Sequence, residues 1–174
     1  MANSIEEAIQ LARKMELDGI EFYGKAADNA GNPQAQKFFE SLQSDEQRHL
    51  DIVEKIGKGM GVDVEGMGMP ADNIKTVFSS ADQEIAAGEQ ATAEEKEAVE
   101  MALGMEEESY DLYEEAAEKT NDDEQKSLFE RLAAEENQHF VMLENTQEYL
   151  EDNGRWVLWD ESALLMGDMS SLGS

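Results

Sequence analysis

Glu46-Gln47-Arg48-His49 is the stretch that decides the fold, because it returns 90 residues later as Glu136-Asn137-Gln138-His139. The match runs without a gap over residues 15–49 and 105–139. Its other clear pairs are Met15-Glu16 with Met105-Glu106, Tyr23 with Tyr113, Ala26-Ala27 with Ala116-Ala117, Phe39-Glu40 with Phe129-Glu130, and Leu42 with Leu132. Since each copy carries two helical stretches, the sequence predicts two copies of one helical hairpin.

Four long helices are predicted from the spacing of apolar residues and from the signals at helix ends. Capping boxes begin at Ser4 and Thr92, and Gly31-Asn32-Pro33 and Asn153-Gly154 break the chain after the first and the fourth helix. The predicted helices span about residues 4–30, 34–58, 92–121 and 123–150. Short turns join the helices of each pair, while a long connection of about residues 59–92 joins the pairs. Such a connection fits a crossover along an all-α four-helix bundle.

Each predicted helix places one carboxylate at mid-length in its apolar stripe, and two helices add an imidazole one turn later. The six residues are Glu16, Glu46, His49, Glu106, Glu136 and His139. Isolated carboxylates are costly in an apolar interior, and the basic residues fall on other faces of the helices. Two divalent cations would balance the four negative charges. Because imidazole and carboxylate together suit iron, manganese or zinc, the sequence predicts a buried site for two metal ions.

Two further pairs of repeated positions share the faces of these residues. Tyr23 and Tyr113 each follow a predicted ligand glutamate by seven residues. We expect their phenols to hydrogen-bond a ligand carboxylate, the alternative being that both are simply core aromatics. Gly19 and Ser109 lie one turn after the same glutamates. Their small side chains would either leave room for a small oxidant or allow close packing of the helices.

Composition excludes several classes of function. A net charge of −28 opposes binding to nucleic acid or to anionic membranes. No apolar run approaches the length of a membrane span, and the first residues lack the features of a signal peptide, so we expect a cytoplasmic protein. The absence of cysteine excludes disulfides, zinc–thiolate sites and iron–sulfur clusters from this chain.

The motifs resemble those of the rubrerythrin branch of the ferritin-like superfamily. The spacing from Glu16 to Tyr23 and from Glu106 to Tyr113 is similar to the Glu-x6-Tyr motif of that family, and the two Glu-x-x-His stretches are similar to its second motif. The resemblance covers about residues 4–150 and implies a ferritin-like bundle with two iron ions per chain. It implies that Glu46 and Glu136 bridge the ions, with terminal ligands Glu16 and Glu106 and one histidine, His49 or His139, on each ion.

The resemblance also implies a choice of function. Family members reduce hydrogen peroxide, a role in oxidative stress, or oxidise ferrous iron with dioxygen. This chain lacks the cysteines of a rubredoxin domain, so we expect a peroxidase that receives electrons from a separate donor such as a rubredoxin-like protein. The family often has an extra glutamate at the position of Ser109. The alternatives are a ferroxidase, an iron storage or delivery protein, or a bundle in which the metal is only structural.

Two segments lie outside the repeat. The bundle is expected to occupy residues 1–152, with Ile74, Val77 and Phe78 forming a short helix in the crossover. The methionines of the crossover are interpreted as packing residues and not as soft metal ligands. The apolar tail of residues 153–174 would pack on the bundle or seal a subunit interface, and a homodimer is expected.

Overall fold

Four long helices form the bundle in the computed structural model, which describes residues 4–63, 68–70 and 90–156. They are α1 (Ile5–Asn29), α2 (Pro33–Gly57), α3 (Ala93–Lys119) and α4 (Asp123–Asn153). α1 packs mainly on α2 and α3 mainly on α4, and smaller contacts of α1 with α3 and of α2 with α4 join the hairpins. The prediction of an all-α bundle made of two helical hairpins is confirmed.

Polar side chains and glycine set the ends of the helices. Ser4 and Asn32 accept hydrogen bonds from the first turns of α1 and α2. Thr92 and Glu95 form the predicted capping box of α3, in which each side chain accepts a backbone N–H of the other residue. α4 ends at Asn153 and is capped by Gly154, whose φ of 67° is the left-handed conformation that glycine adopts without strain. For this reason α4 continues beyond the predicted end at residue 150.

Among the described residues, the apolar core forms two clusters, one at each end of the bundle. The first cluster is built from the start of α1, the end of α2, the end of α3 and the start of α4, and it includes Ala12, Val53, Ile56, Leu112, Phe129 and Leu132. The second is built from the opposite ends of the same helices and includes Phe38, Phe39, Leu42, Val99, Leu143 and Leu150. The glutamates and histidines of the repeat lie between the two clusters along every helix.

The second cluster also contains the start of the C-terminal tail. Trp156 is 1% exposed, and its ring lies 5.6 Å from Phe38 and 6.0 Å from Phe39 between centroids. An isolated β-bridge pairs Gln90 with Arg155 just before it. The predicted short helix around Ile74 and the rest of the tail lie outside the described residues. Within the described ranges, none of the helices has the length and hydropathy needed to cross a membrane.

Candidate metal centre

All six predicted ligands lie together at the middle of the bundle, and all are buried. None of them is more than 4% exposed, and both imidazoles are fully enclosed. They form two groups whose potential ligand atoms lie within 4.8 Å of one another. The first group is Glu16, Glu46, His49 and Glu136, and the second is Glu46, Glu106, Glu136 and His139. Glu46 and Glu136 belong to both groups, so the arrangement is one cluster with two overlapping positions.

Several atoms of this cluster have no hydrogen-bond partner within the part of the chain that the structure describes. They are Glu16 Oε2, Glu46 Oε1, Glu136 Oε1 and His49 Nδ1. Buried polar atoms are almost always paired in folded proteins. His49 Nδ1 lies only 3.2 Å from Glu136 Oε1 and 3.7 Å from Glu16 Oε2. Three acceptor oxygens and one ring nitrogen without partners fit a divalent cation, because oxygen and imidazole are ligands that such cations accept together.

The other nitrogen of each imidazole is held by an acidic residue of the opposite hairpin. His49 Nε2 lies 3.0 Å from Glu135 Oε2, and His139 Nε2 lies 3.3 Å from Asp45 Oδ2. An ionised carboxylate can only accept a hydrogen bond, so Nε2 of each imidazole must carry the hydrogen that is donated. This fixes each ring with its Nδ1 facing the cluster, which is the support that metal-binding histidines commonly receive.

Asp45 and Glu135 were not among the predicted residues, although the repeat contains a signal for them. They occupy equivalent positions directly before Glu46 and Glu136, 90 residues apart. Burial alone would raise the pKa of Asp45, but its hydrogen bond to His139 and its pairing with Arg48 lower that pKa to about 2. Burial is outweighed in the same way at Glu135, where the hydrogen bond to His49 and nearby arginines lower the pKa to about 2. Both residues are therefore firmly ionised acceptors.

The two tyrosines make contacts across the bundle. Tyr23 donates a hydrogen bond to Glu106 Oε1, and Tyr113 donates one to Glu16 Oε1. Each phenol thus orients the glutamate carboxylate of the other hairpin and not the one on its own helix. Both phenols hydrogen-bond a glutamate that is predicted to be a ligand, and both rings also contribute to the core.

Gly19 makes room for the side chain of Glu46. A Cβ atom at this position would lie 2.8 Å from Glu46 Oε2 and 3.3 Å from Glu46 Cγ. The carboxylate of Glu46 therefore rests directly on the backbone of α1. Of the two interpretations open at this position, the structure favours close packing, since the space beside Gly19 is taken by the side chain of Glu46. The equivalent residue, Ser109, is 9% exposed on α3.

Without a cation, two carboxylates of the cluster have raised pKa values, whereas burial at Glu106 is outweighed by attraction to His139, which lowers the pKa of Glu106. Burial, followed by repulsion from Glu46 and Glu136, raises the pKa of Glu16 well above its ordinary value. Burial and repulsion from Glu46 and Glu106 raise the pKa of Glu136 to about 7, against the opposing attraction of His49. Excess negative charge in a buried space is the common cause of both shifts.

The histidines respond to the same negative charge. Burial disfavours the charged imidazole of His49, but attraction to Glu136 and the hydrogen bond to Glu135 outweigh it and raise the pKa well above its ordinary value. The pKa of His139 is raised likewise, with Glu106 as the strongest attracting group against burial. Protons thus take up part of the charge that two metal ions would neutralise.

A family model supports the interpretation of this centre. The model named Rubrerythrin matches residues 7–147, which is more than half of the chain. The chain belongs to the rubrerythrin family. Searches of curated proteins and of solved structures found no similar chain. Membership of the rubrerythrin family indicates a non-haem di-iron protein with a redox function, and the buried cluster of glutamates and histidines fits a di-iron site.

Proposed function

We propose that this rubrerythrin-family protein reduces hydrogen peroxide at a di-iron centre, with electrons from a separate donor. The observation that carries the proposal is the pair of overlapping four-residue groups that share Glu46 and Glu136. Two positions with shared carboxylates suit a reaction that needs two electrons at one place. One electron from each of two ions, with two protons, converts hydrogen peroxide into two molecules of water.

The proposed ligands divide between the two positions by their contacts. Glu16 and His49 would hold one ion, and Glu106 and His139 would hold the other. Glu46 and Glu136 would lie between the ions and contact both. The four carboxylates carry four negative charges, which two divalent ions balance. This assignment explains why so many acidic groups occupy an interior position. Asp45 and Glu135 would not contact the ions, since they hold the far nitrogens of the two histidines.

The chain itself contributes orientation and the exclusion of water. The six proposed ligands are at most 4% exposed, so bulk water has no direct access to them. Tyr23 and Tyr113 hold the terminal carboxylates in place, and Asp45 and Glu135 hold the imidazoles. Because the chain has no cysteine and hence no iron–sulfur relay, the electrons that restore the centre must come from another protein or a small reductant.

A second candidate is a ferroxidase that stores or delivers iron, and Ser109 favours it. The extra glutamate often found at this position in rubrerythrins is absent here, which would favour dioxygen as the oxidant. Storage further requires a hollow shell of many chains, whereas we expect a homodimer, since a charge of −28 per chain opposes the packing of many subunits. The particle mass in solution, by light scattering, separates a dimer from a shell.

Stopped-flow kinetics of the anaerobically prepared diferrous protein test the proposal. The protein is mixed in parallel with hydrogen peroxide and with dioxygen, and the oxidation of iron is followed by absorbance. We expect faster oxidation by peroxide, and a Glu136→Gln variant should lose the reaction with both oxidants. A rate with dioxygen equal to or above the rate with peroxide would exclude the peroxidase and leave the ferroxidase.

A further inference from the structure

A single arginine lies behind both imidazoles. Arg48 Nη2 lies 2.8 Å from Asp45 Oδ1, and Arg48 Nη1 lies 2.6 Å from Glu135 Oε2. These are the two carboxylates that hold His139 and His49. The side chain of Arg48 is only 22% exposed, so its charge is partly shielded from water and its contacts are stronger than those of a surface pair.

The contacts form a continuous chain from one imidazole to the other. The steps are His49 to Glu135 at 3.0 Å, Glu135 to Arg48 at 2.6 Å, Arg48 to Asp45 at 2.8 Å and Asp45 to His139 at 3.3 Å. A guanidinium is planar and offers its donors in a fixed fork. A shift of one carboxylate would therefore be transmitted to the other through a rigid group.

We propose that Arg48 is a positioning residue that couples the two metal positions, so that they fill as a pair. The inference rests on the proposed function only in that the buried cluster must hold two metal ions. When a metal ion binds at one position, it draws one imidazole into its final place. The chain of contacts then fixes the positions of Arg48 and of the second carboxylate. The second carboxylate in turn orients the second imidazole for binding its own ion.

This path is separate from the one through the shared glutamates. Glu46 and Glu136 connect the two positions from the inner side of the cluster, whereas Arg48 connects them from behind the rings. The repeat supplies an arginine at this place only once, because the position equivalent to Arg48 is Gln138. Replacing Arg48 with glutamine therefore introduces the side chain of the other repeat and leaves all six proposed ligands unchanged.

Electron paramagnetic resonance of the protein loaded with one Mn²⁺ per chain tests the coupling. Mononuclear Mn²⁺ and a coupled manganese pair give different spectra, and Mn²⁺ needs no oxidant. In the unmodified protein we expect most of the bound metal in pairs. In Arg48→Gln the mononuclear fraction should rise about 5-fold or more, the lower end of typical coupling factors. Arg48→Lys keeps the charge without the fork and should give an intermediate fraction.

Arg13→Gln is the matched control. Arg13 is 50% exposed and pairs only loosely with Glu54, at 3.4 Å. The Arg13→Gln variant removes the same charge at a place away from the centre, and the fraction of bound Mn²⁺ in pairs should remain unchanged. Equal mononuclear fractions in the unmodified protein, Arg48→Gln and Arg13→Gln would overturn the coupling and leave the proposed function intact. A lack of binding of both Mn²⁺ and Fe²⁺ in all of them would remove the metal centre, and with it both proposals.

Discussion

Gly19 is the residue at which the backbone comes closest to a proposed ligand. An alanine Cβ would lie 2.8 Å from Glu46 Oε2, a separation that real Cβ atoms do not show. We predict that Gly19→Ala displaces the carboxylate of Glu46 and weakens metal binding about 10-fold or more, the scale seen when the support of a metal ligand is lost. Both ions should be affected, because Glu46 belongs to both positions. Calorimetric titration of the metal-free protein with Mn²⁺ measures this.

Gly104→Ala provides the control for the same change of side chain. Gly104 is an exposed residue of α3, and a Cβ atom there meets nothing within 4 Å. This variant should bind metal normally and gain up to about 1 kcal/mol of stability from the better helix propensity of alanine. Equal metal affinity of Gly19→Ala and Gly104→Ala would show that Gly19 has no role in placing Glu46.

The residues of the centre were predictable to different degrees. Glu16 and Glu106 could be found because a charged residue in an apolar stripe is unusual, and the same unusual residue occurs in both copies of the repeat. The supporting residues Asp45 and Glu135 do not stand out in an acidic sequence, since their partners lie 94 and 86 residues away. The partner of Tyr23 was not predictable, because only the packing of α1 on α3 places its hydroxyl at Glu106.

At the scale of the helices, Glu95 connects several elements at one end of the bundle. Its carboxylate caps α3 by accepting from the backbone N–H of Thr92 at 2.9 Å. It also accepts from the backbone N–H of Gly31 in the α1–α2 turn at 2.7 Å, and from Trp156 Nε1 at 2.8 Å. The start of the C-terminal tail is thereby fixed to both hairpins through one buried side chain.

Removal of the Trp156 side chain should destabilise this end of the bundle. The ring is 1% exposed and packs on Phe38 and Phe39, so we predict that Trp156→Ala lowers the free energy of unfolding by about 3–5 kcal/mol. Trp156→Phe keeps an apolar ring but leaves Glu95 without one donor, at a cost of about 1–3 kcal/mol. Urea denaturation of the metal-free variants measures both.

The same two variants show whether Trp156 belongs to the fold or to the centre. Their affinity for Mn²⁺ should equal that of the unmodified protein, because Trp156 contacts the apolar cluster and not the proposed ligands. Unchanged urea midpoints for both variants would contradict the packing of the tail on the bundle.

The helices were predicted well because their ends carry local signals. The capping box of Thr92 and Glu95 is present as expected. Pro33 is the first residue of α2 and not part of a longer break, since Asn32 caps the helix and proline is favoured at the first helical position. The contact of Glu95 with Trp156 was not predicted, because no local pattern joins residues 61 positions apart.

For the whole molecule, polar contacts join the two hairpins in addition to the apolar clusters that all four helices share. Each hairpin packs extensively within itself, while the contacts between hairpins are fewer. The pairs formed by Tyr23 with Glu106 and by His49 with Glu135 both cross this boundary, as do their repeat equivalents. Metal ions held by glutamates of all four helices would join the two hairpins most strongly.

Stability should therefore depend on pH in opposite ways with and without metal. In the metal-free protein Glu136 has a pKa of about 7, above its unfolded value of about 4.5, and Glu16 shifts in the same direction. Groups with raised pKa values stabilise the fold fully below their unfolded pKa and lose that contribution as the pH rises through the folded value. The raised pKa values of His49 and His139 act likewise above about pH 6.5.

We predict that the metal-free protein loses stability between pH 5 and pH 8, by roughly 3 kcal/mol from Glu136 alone. Asp45 and Glu135, with pKa values of about 2, remain ionised throughout this range and do not contribute to the change. In the loaded protein, metal ions take the place of these protons. The affinity of the site for metal rises with pH, because fewer protons compete for the carboxylates and imidazoles. The difference in melting temperature between loaded and metal-free protein should therefore widen from pH 5 to pH 8. An equal difference at both pH values would contradict the role of buried charge.

The central claim is that four glutamates and two histidines hold two metal ions in each chain. Anomalous X-ray diffraction from crystals grown with Fe²⁺ or Mn²⁺ tests it most directly, because the anomalous signal locates each metal ion independently of the protein. We predict two peaks per chain, one beside Glu16 and His49 and the other beside Glu106 and His139, with Glu46 and Glu136 between them. A single peak, or no peak within the bundle, would contradict the account.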